Sequence, residues 1–355
     1  MLMNIIIEPE YQDTVWCNET LSGIEKKAAS LRYKTKICSI NTLNAAAKNA
    51  IIIGTSTDWV SSTLYRTSQL GIHTIVISCQ PIEAKGNTSY VLIDHNSATR
   101  KCIDYLRRCG RHRIALYGIN RNSYADMIKT KYFDGKNIYY STGKNAMHDC
   151  CNAFEKEAKN YNAVICSNYI AAIYLMNRLK TTNISVPDDL YIIAYGDSVL
   201  GNMFNPSLTT VTLDHKQLGI QTVNLCRFPD FLSGNIHATI YVPSEIHAAK
   251  STNYIPYLKS ADSINSFNLS DNIFTNDTQI QEIQALEKLL RACDNTDFMI
   301  IDNLLANEPY CKIGDLLYMS ESSVKYRIKR MLSCSGIETP SKILELYTKY
   351  LKKPR

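Results

Sequence analysis

A chain of 355 residues with 45% hydrophobic content and a net charge of +6 is too long for one ordinary domain and apolar enough to build two or three cores. No run approaches the roughly 20 apolar residues that span a bilayer. The opening MLMNIIIEPE has no basic flank and no cleavage site before Glu8 and Glu10, so it reads as a buried first strand, and the chain as cytoplasmic with no membrane partner.

The predicted strands are 4–7, 35–40, 51–54, 73–78, 90–94, 113–117, 163–166, 191–195 and 236–242. Helical periods separate them, over 21–31, 97–108, 171–179 and 216–226 among others. Short strands rich in Ile, Val and Tyr that alternate with helices predict βαβ units, parallel sheets and right-handed crossovers. Ligands of such sheets bind beyond the carboxyl ends of the strands. The fold class is therefore α/β, with two lobes of parallel sheet over residues 1–253 and a small all-α domain after them. Residues 254–279 are rich in Asn, Ser, Asp and Thr and read as a linker. Beyond them Ile283, Leu286, Leu289 and Leu290, then Phe298, Ile301, Leu304 and Leu305, recur at helical spacing.

The charge is concentrated at one end. From Pro309 onward there are ten basic and four acidic residues, whereas the preceding part balances at 29 of each. A neutral body with a basic end is the footprint of a nucleic acid or an acidic surface. Within that end, residues 311–333 read CKIGDLLYMSESSVKYRIKRMLS. A first helix is predicted over 311–318, and Ser320 stands at the N-cap position of a second. In the second helix Val324, Ile328, Met331 and Leu332 share one face, and Ser322, Lys325, Tyr326, Lys329 and Ser333 the other. Cations and hydroxyls on an exposed helix face suit phosphates and base edges. Lys325, Tyr326 and Lys329 are expected over the bases, with Arg327 and Arg330 on the flanks against phosphates. The same pattern also fits a basic amphipathic helix that binds nothing.

Other chemistry lacks its signature. The twelve cysteines include no CxxC, and Cys150-Cys151 has no histidine at ligand spacing, so neither a disulfide frame nor a metal site is expected. STGKNAM lacks the first glycine and the hydroxyl of a phosphate loop, and no GxGxxG, HExxH or GxSxG is present. Asp94-His95 reads as a strand end followed by a solvated side chain. Glu8 and Glu10 do not amount to a phospho-receiver, because 51–54 is followed by Thr-Ser rather than an aspartate. The chain reads as no enzyme, with no cofactor.

Two resemblances add to this. IGDLLYMSESSVKYRIKRMLSCSGIETPSKILEL resembles a LuxR-type helix-turn-helix, whose third helix enters the major groove and whose fourth often dimerises. The resemblance carries DNA contacts to Lys325, Tyr326 and Lys329 and a phosphate contact to Ser323; the face as a whole takes in Ser320, Ser322, Arg327 and Arg330. It departs in Gly314-Asp315 and in the missing Leu-Thr-x-x-Glu before Phe298. VLIDHNSATRKCIDYLRRCGRHRIALYG, AVICSNYIAAIYLMNRLKTTNISVPDDLYIIAYGDS and NPSLTTVTLDHKQLG resemble the ligand-sensing module of the lactose/galactose-repressor family, related to periplasmic sugar-binding proteins. That implies a sensor over 1–253, with lobe one at 1–110 and 214–235 and lobe two at 111–213 and 236–253. A small-molecule effector would sit in the cleft between them, with Trp16, Asn168 and Asp197 as ligand residues. Met127 and Ile128 stand where that family has a cleft arginine, and Tyr169 where an aspartate follows the asparagine. The module normally follows its helix-turn-helix, whereas here the motif comes after it, over 280–355, as in xylose-responsive activators. Together these readings imply a homodimeric transcriptional regulator of double-stranded DNA. A small-molecule binding protein whose basic helices contact a protein partner is the alternative.

Overall fold

The runs Asn49–Ile53 and His73–Ser78, apolar on both sides of the pleat, are buried along their whole length in the computed structural model of the chain, as inner strands of a sheet covered on both faces must be. The structure describes residues 2–43, 49–82, 88–143, 145–228, 237–254 and 277–351. They form two compact units, one of residues 1–104, 121–134 and 212–245, the other of 105–120, 135–211 and 246–355.

In the first unit β1 (Leu2–Ile7), β2 (Lys34–Ile37), β3 (Asn49–Ile53), β4 (His73–Ser78), β5 (Thr88–Ile93) and, much later in the chain, β11 (Thr239–Val242) form a sheet of order β11-β5-β4-β3-β1-β2. All its pairs are parallel. The edge strand β2, KTKI, is largely exposed, and its lysines disfavour further pairing. Around the sheet lie α1 (Val15–Ser30), α2 (Thr57–Gln69), α3 (His95–Arg108), α4 (Tyr124–Thr130) and α8 (His215–Leu225). Helices α1 and α8 meet at two glycines. A Cβ on Gly23 would lie 2.1 Å from the Lys216 carbonyl oxygen, and one on Gly219 2.1 Å from that of Thr20. Backbones this close leave no room for a side chain. Glu8 is buried, and its carboxylate accepts from the Thr55 and Ser56 amides and the Ser56 hydroxyl, so it organises the turn before α2.

In the second unit β6 (Ile114–Ile119), β7 (Ile138–Tyr140), β8 (Ala163–Cys166), β9 (Tyr191–Tyr195), β10 (Thr209–Leu213) and β12 (Ser244–His247) follow the order β12-β10-β9-β8-β6-β7. Helices α5 (Ala146–Glu157), α6 (Tyr169–Leu179) and α7 (Val199–Met203) pack with them. The carboxy-terminal helices α9 (Thr278–Ala292), α10 (Asn295–Leu305), α11 (Tyr310–Leu316), α12 (Glu321–Ser335) and α13 (Pro340–Leu351) belong to this same unit. One continuous apolar core runs from Tyr117 and Phe154 through α6 to Leu286, Ile328 and Leu346.

Several sequence expectations change here. Strands β7, β10 and β12 were not among the predicted ones; three or four residues, or a Thr-rich run after a proline, carry little apolar periodicity. The boundary drawn at 236 does not follow sheet membership, since β11 pairs with β5 in the first sheet and only β12 joins the second. Most of the segment read as a linker, residues 255–276, lies outside the described residues, as do Lys352, Lys353 and Arg355.

The α1–α8 crossing gives a direct test. Gly219→Ala should cost about 1–3 kcal/mol in urea unfolding, the range for overpacking a tight contact, whereas Ala at the exposed Lys26 should change little.

Candidate functional site

The first unit holds a cavity of about 200 Å³ at the carboxyl ends of β4 and β5. Its polar lining comes from Cys79 and Gln80 after β4, Asp94, His95 and Asn96 at the start of α3, and Lys131 after α4. Asp94 caps α3 by accepting from the Ser97 amide at 2.8 Å. His95 is only 6% exposed, and its Nδ1 has no hydrogen-bond partner among the described residues. Burial, then the Lys129 ammonium and His215, push its pKa down to about 3, so the imidazole is neutral. The sequence reading of His95 as a solvated side chain is thereby corrected. Beside it the buried Lys129 is paired with Asp126 at 2.6 Å. Burial pushes the Cys79 thiol up to about 12. A neutral imidazole and a protonated thiol offer hydrogen bonds and shape rather than a nucleophile. The segment that lacks the expected arginine thus supplies a different cation, Lys131, at the end of α4.

The three ligand residues expected from sequence are distributed otherwise. Trp16 lies in the first turn of α1, in the first unit, and does not line this cavity. Its ring is packed edge-on by Tyr11 at 5.5 Å and tilted against His215 at 6.4 Å. Asn168 and Asp197 lie in the second unit, after the paired strands β8 and β9. The Asn168 side chain caps α6 by accepting from the Ala171 amide at 2.9 Å. Asp197 follows Gly196, whose φ of +84° favours glycine, and its Oδ1 accepts from the Thr210 hydroxyl at 2.7 Å.

The second candidate surface is the α11–turn–α12 unit. Gly314 sits where a Cβ would lie 2.6 Å from the Met319 carbonyl oxygen, which is why α11 needs its small residue there. Ser320 caps α12, accepting from the Ser323 amide. Val324, Ile328 and Met331 are buried, while Ser322, Ser323, Lys325, Tyr326 and Lys329 are exposed. A shallow groove of about 480 Å³ is lined by Ser322, Ser323, Tyr326, Arg327 and Arg330. Lys325 pairs with Glu321 at 2.6 Å one turn earlier. Arg327 and Arg330 are not simple solvated flanks. Arg327 donates to Asp294 at 2.9 Å and to Asp297 at 2.8 Å, and Arg330 donates to Asp297. Asp297 is fully buried and forms a capping box with Asp294 at the start of α10. The two arginines therefore hold α12 against α10. The signal sequence reading missed was the pair Asp294-x-x-Asp297, a capping pattern just before an apolar run.

The family profile described as a periplasmic binding protein-like domain matches residues 103–227. The HTH-type transcriptional repressor PurR of Histophilus somni (strain 2336) is 29% identical over 104 residues, 29% of this chain and 31% of that protein. An HTH-type transcriptional regulator of Lachnoclostridium phytofermentans is 26% identical over 177 residues, 46% of this chain and 52% of that protein. The chain thus matches about a third of the length of the first of these curated relatives and about half of the second. The crystal structure of the LacI family transcriptional regulator CCPA from Weissella paramesenteroides, with bound glucose, superimposes with a TM-score of 0.56 at 18% identity, over 71% of this chain and 98% of that one. The two parallel-sheet lobes have the periplasmic-binding-protein-like fold of such regulators, with a helical region after them. No helix among the described residues is long and apolar enough to cross a membrane.

Two outcomes follow from these environments. His95 has a folded pKa below its unfolded value of 6.5. The unfolded state therefore binds the extra proton between pH 6.5 and about 3, and stability is full above pH 6.5 and falls as pH drops through that window. By pH 5 the loss is roughly 2 kcal/mol, and His95→Gln should remove that part of the acid sensitivity in denaturant melts at pH 5 and pH 8. Separately, Arg327→Ala should lower stability by about 1–2 kcal/mol, because Asp297 loses a partner in a buried setting. Lys329→Ala should leave the unfolding midpoint unchanged.

Proposed function

We propose that the chain is a transcriptional regulator that reads double-stranded DNA through α12, as a helix-turn-helix of LuxR type, under control of its α/β module. The observation that carries this is the division of α12: Val324, Ile328 and Met331 are locked into the core, while Ser322, Ser323, Lys325, Tyr326 and Lys329 project into solvent. An anchored helix with an exposed face of hydroxyls, a phenol and two lysines suits insertion into a major groove. The similarity to DNA-binding repressors supports the same reading. One such helix reads a half-site, so the working form is a homodimer on a two-fold site. The effector is a sugar-like molecule in the cavity at the ends of β4 and β5; the solved relative was crystallised with glucose, and Gln80, Asp94, Asn96 and Lys131 supply the donors and acceptors that hydroxyls need.

The full chain should retard a duplex selected from a random pool, with affinity falling steeply as salt rises. Lys325→Ala or Lys329→Ala should weaken the selected duplex about tenfold, the size of one good base contact, and weaken scrambled DNA less. Equal losses on both duplexes would mean that the bases meet another face, and no retardation at low salt would overturn the reading. For the effector, a panel of mono- and disaccharides should contain one that raises the melting temperature of the wild type but not of Lys131→Ala. A panel without any shift would leave the α/β module as a scaffold for dimerisation.

A further inference from the structure

Glu287, in the middle of α9, is completely buried. Its carboxylate accepts from three groups 87 to 89 positions earlier in the chain: the Ser198 hydroxyl at 2.9 Å, the Val199 amide at 3.0 Å and the Leu200 amide at 2.6 Å. One turn later on α9, the nearly buried Arg291 pairs with the same carboxylate. Arg291 also donates to the Asp197 carbonyl oxygen at 3.3 Å. The residues gripped are therefore 197–200, the turn that leaves the carboxyl end of β9 after the left-handed Gly196. The Asp197 side chain faces the other way, toward Thr210 and, at 3.8 Å, His247.

The same helix is the neighbour of α12. Helix α9 packs against α6 and α7 and also against α12 and α13, and its Glu282 holds Lys342 and Lys349 of α13. Apolar contact would be enough to keep these helices together, and a buried ion pair in such a place is weak evidence for added stability. What the pair adds is direction. A carboxylate with three donors and a guanidinium at fixed distances permits one placement of α9 on the turn, whereas Leu against Ile tolerates many.

We infer that Glu287 and Arg291 are positioning residues for DNA recognition: they latch α9 to the turn 197–200, so that a displacement of that turn is passed through α9 to α12. This deepens the reading of α12 as the DNA-contacting helix and rests on it for its function. The carboxyl end of β9 is where a parallel sheet places ligands, so the latch makes the orientation of α12 answerable to that strand end. The helical region is not a freely tethered module; it is set by a polar contact to the sheet lobe.

The test uses the full chain and two variants. Glu287→Gln keeps the shape but weakens the acceptor, and Glu287→Leu with Arg291→Met removes both charges and is expected to fold even if the first does not. Hydrogen exchange read by mass spectrometry should show amides 199–201 and those of α12 both exchanging at least about tenfold faster in either variant, with the far-ultraviolet spectrum unchanged. Faster exchange confined to 199–201, with α12 as protected as in the wild type, overturns the latch. On the selected duplex, either variant should bind about tenfold more weakly although every exposed residue of α12 is intact; unchanged affinity likewise overturns it. A wild type that retards no DNA counts against the function proposed above and not against the latch, which the exchange pattern decides alone.

Discussion

An ionised carboxylate taken into an apolar core must meet donors at fixed positions, since the cost of leaving it alone is several kcal/mol. The arrangement of the second unit depends on that constraint. Glu287 and Asp297 are both fully buried, and each is satisfied by groups from a different segment. Glu287 takes the turn 198–200 and Arg291; Asp297 takes Arg327 and Arg330 of α12. The first fixes α9 on the sheet lobe, and the second fixes α12 on α10. Between these two anchors the apolar residues Ile283, Leu286, Ile301 and Ile328 fill a common core. The exposed face of α12 is thus aimed by two carboxylates that are themselves wholly buried.

The first unit uses the same physics for a different end. Lys129 and Asp126 bury a matched pair beside the cavity, and burial together with the Lys129 ammonium keeps His95 neutral. Around the cavity stand an uncharged imidazole, a protonated thiol, two amides, the Asp94 carboxylate and a lysine, a set of donors and acceptors suited to the sensing role proposed above. The close α1–α8 crossing at Gly23 and Gly219 joins an early helix to one that arrives almost two hundred residues later, so the unit is closed only when the chain returns to it.

Much of this was legible before any coordinates. Continuous Ile and Val runs marked β3, β4 and β8, because inner strands of a parallel sheet have no solvent face to encode. Ser320 at an N-cap and the apolar stripe Val324, Ile328, Met331 placed α12 correctly, because a half-buried helix must repeat every three or four residues. Less was legible where several contacts compete for one side chain. Asn168 stands at a helix start as expected, and its side-chain oxygen is engaged by the cap. Trp16 is aromatic and near the first strand, and it is half-buried with its ring against Tyr11 and His215.

The sequence by itself determined the class of fold, the alternation of strands and helices, the basic carboxy-terminal end and the exposed face of α12, since each is written in local periodicity and charge. Only the tertiary structure decided which sheet β11 joins, that His95 is buried, that Arg327 and Arg330 answer to acidic partners, and that α9 is latched to the end of β9. Those facts depend on pairs such as Glu287 with Val199 and Asp297 with Arg330, which lie tens of residues apart. No local pattern records which donor will be nearby when a charge loses its water; that is settled when the backbone closes around it.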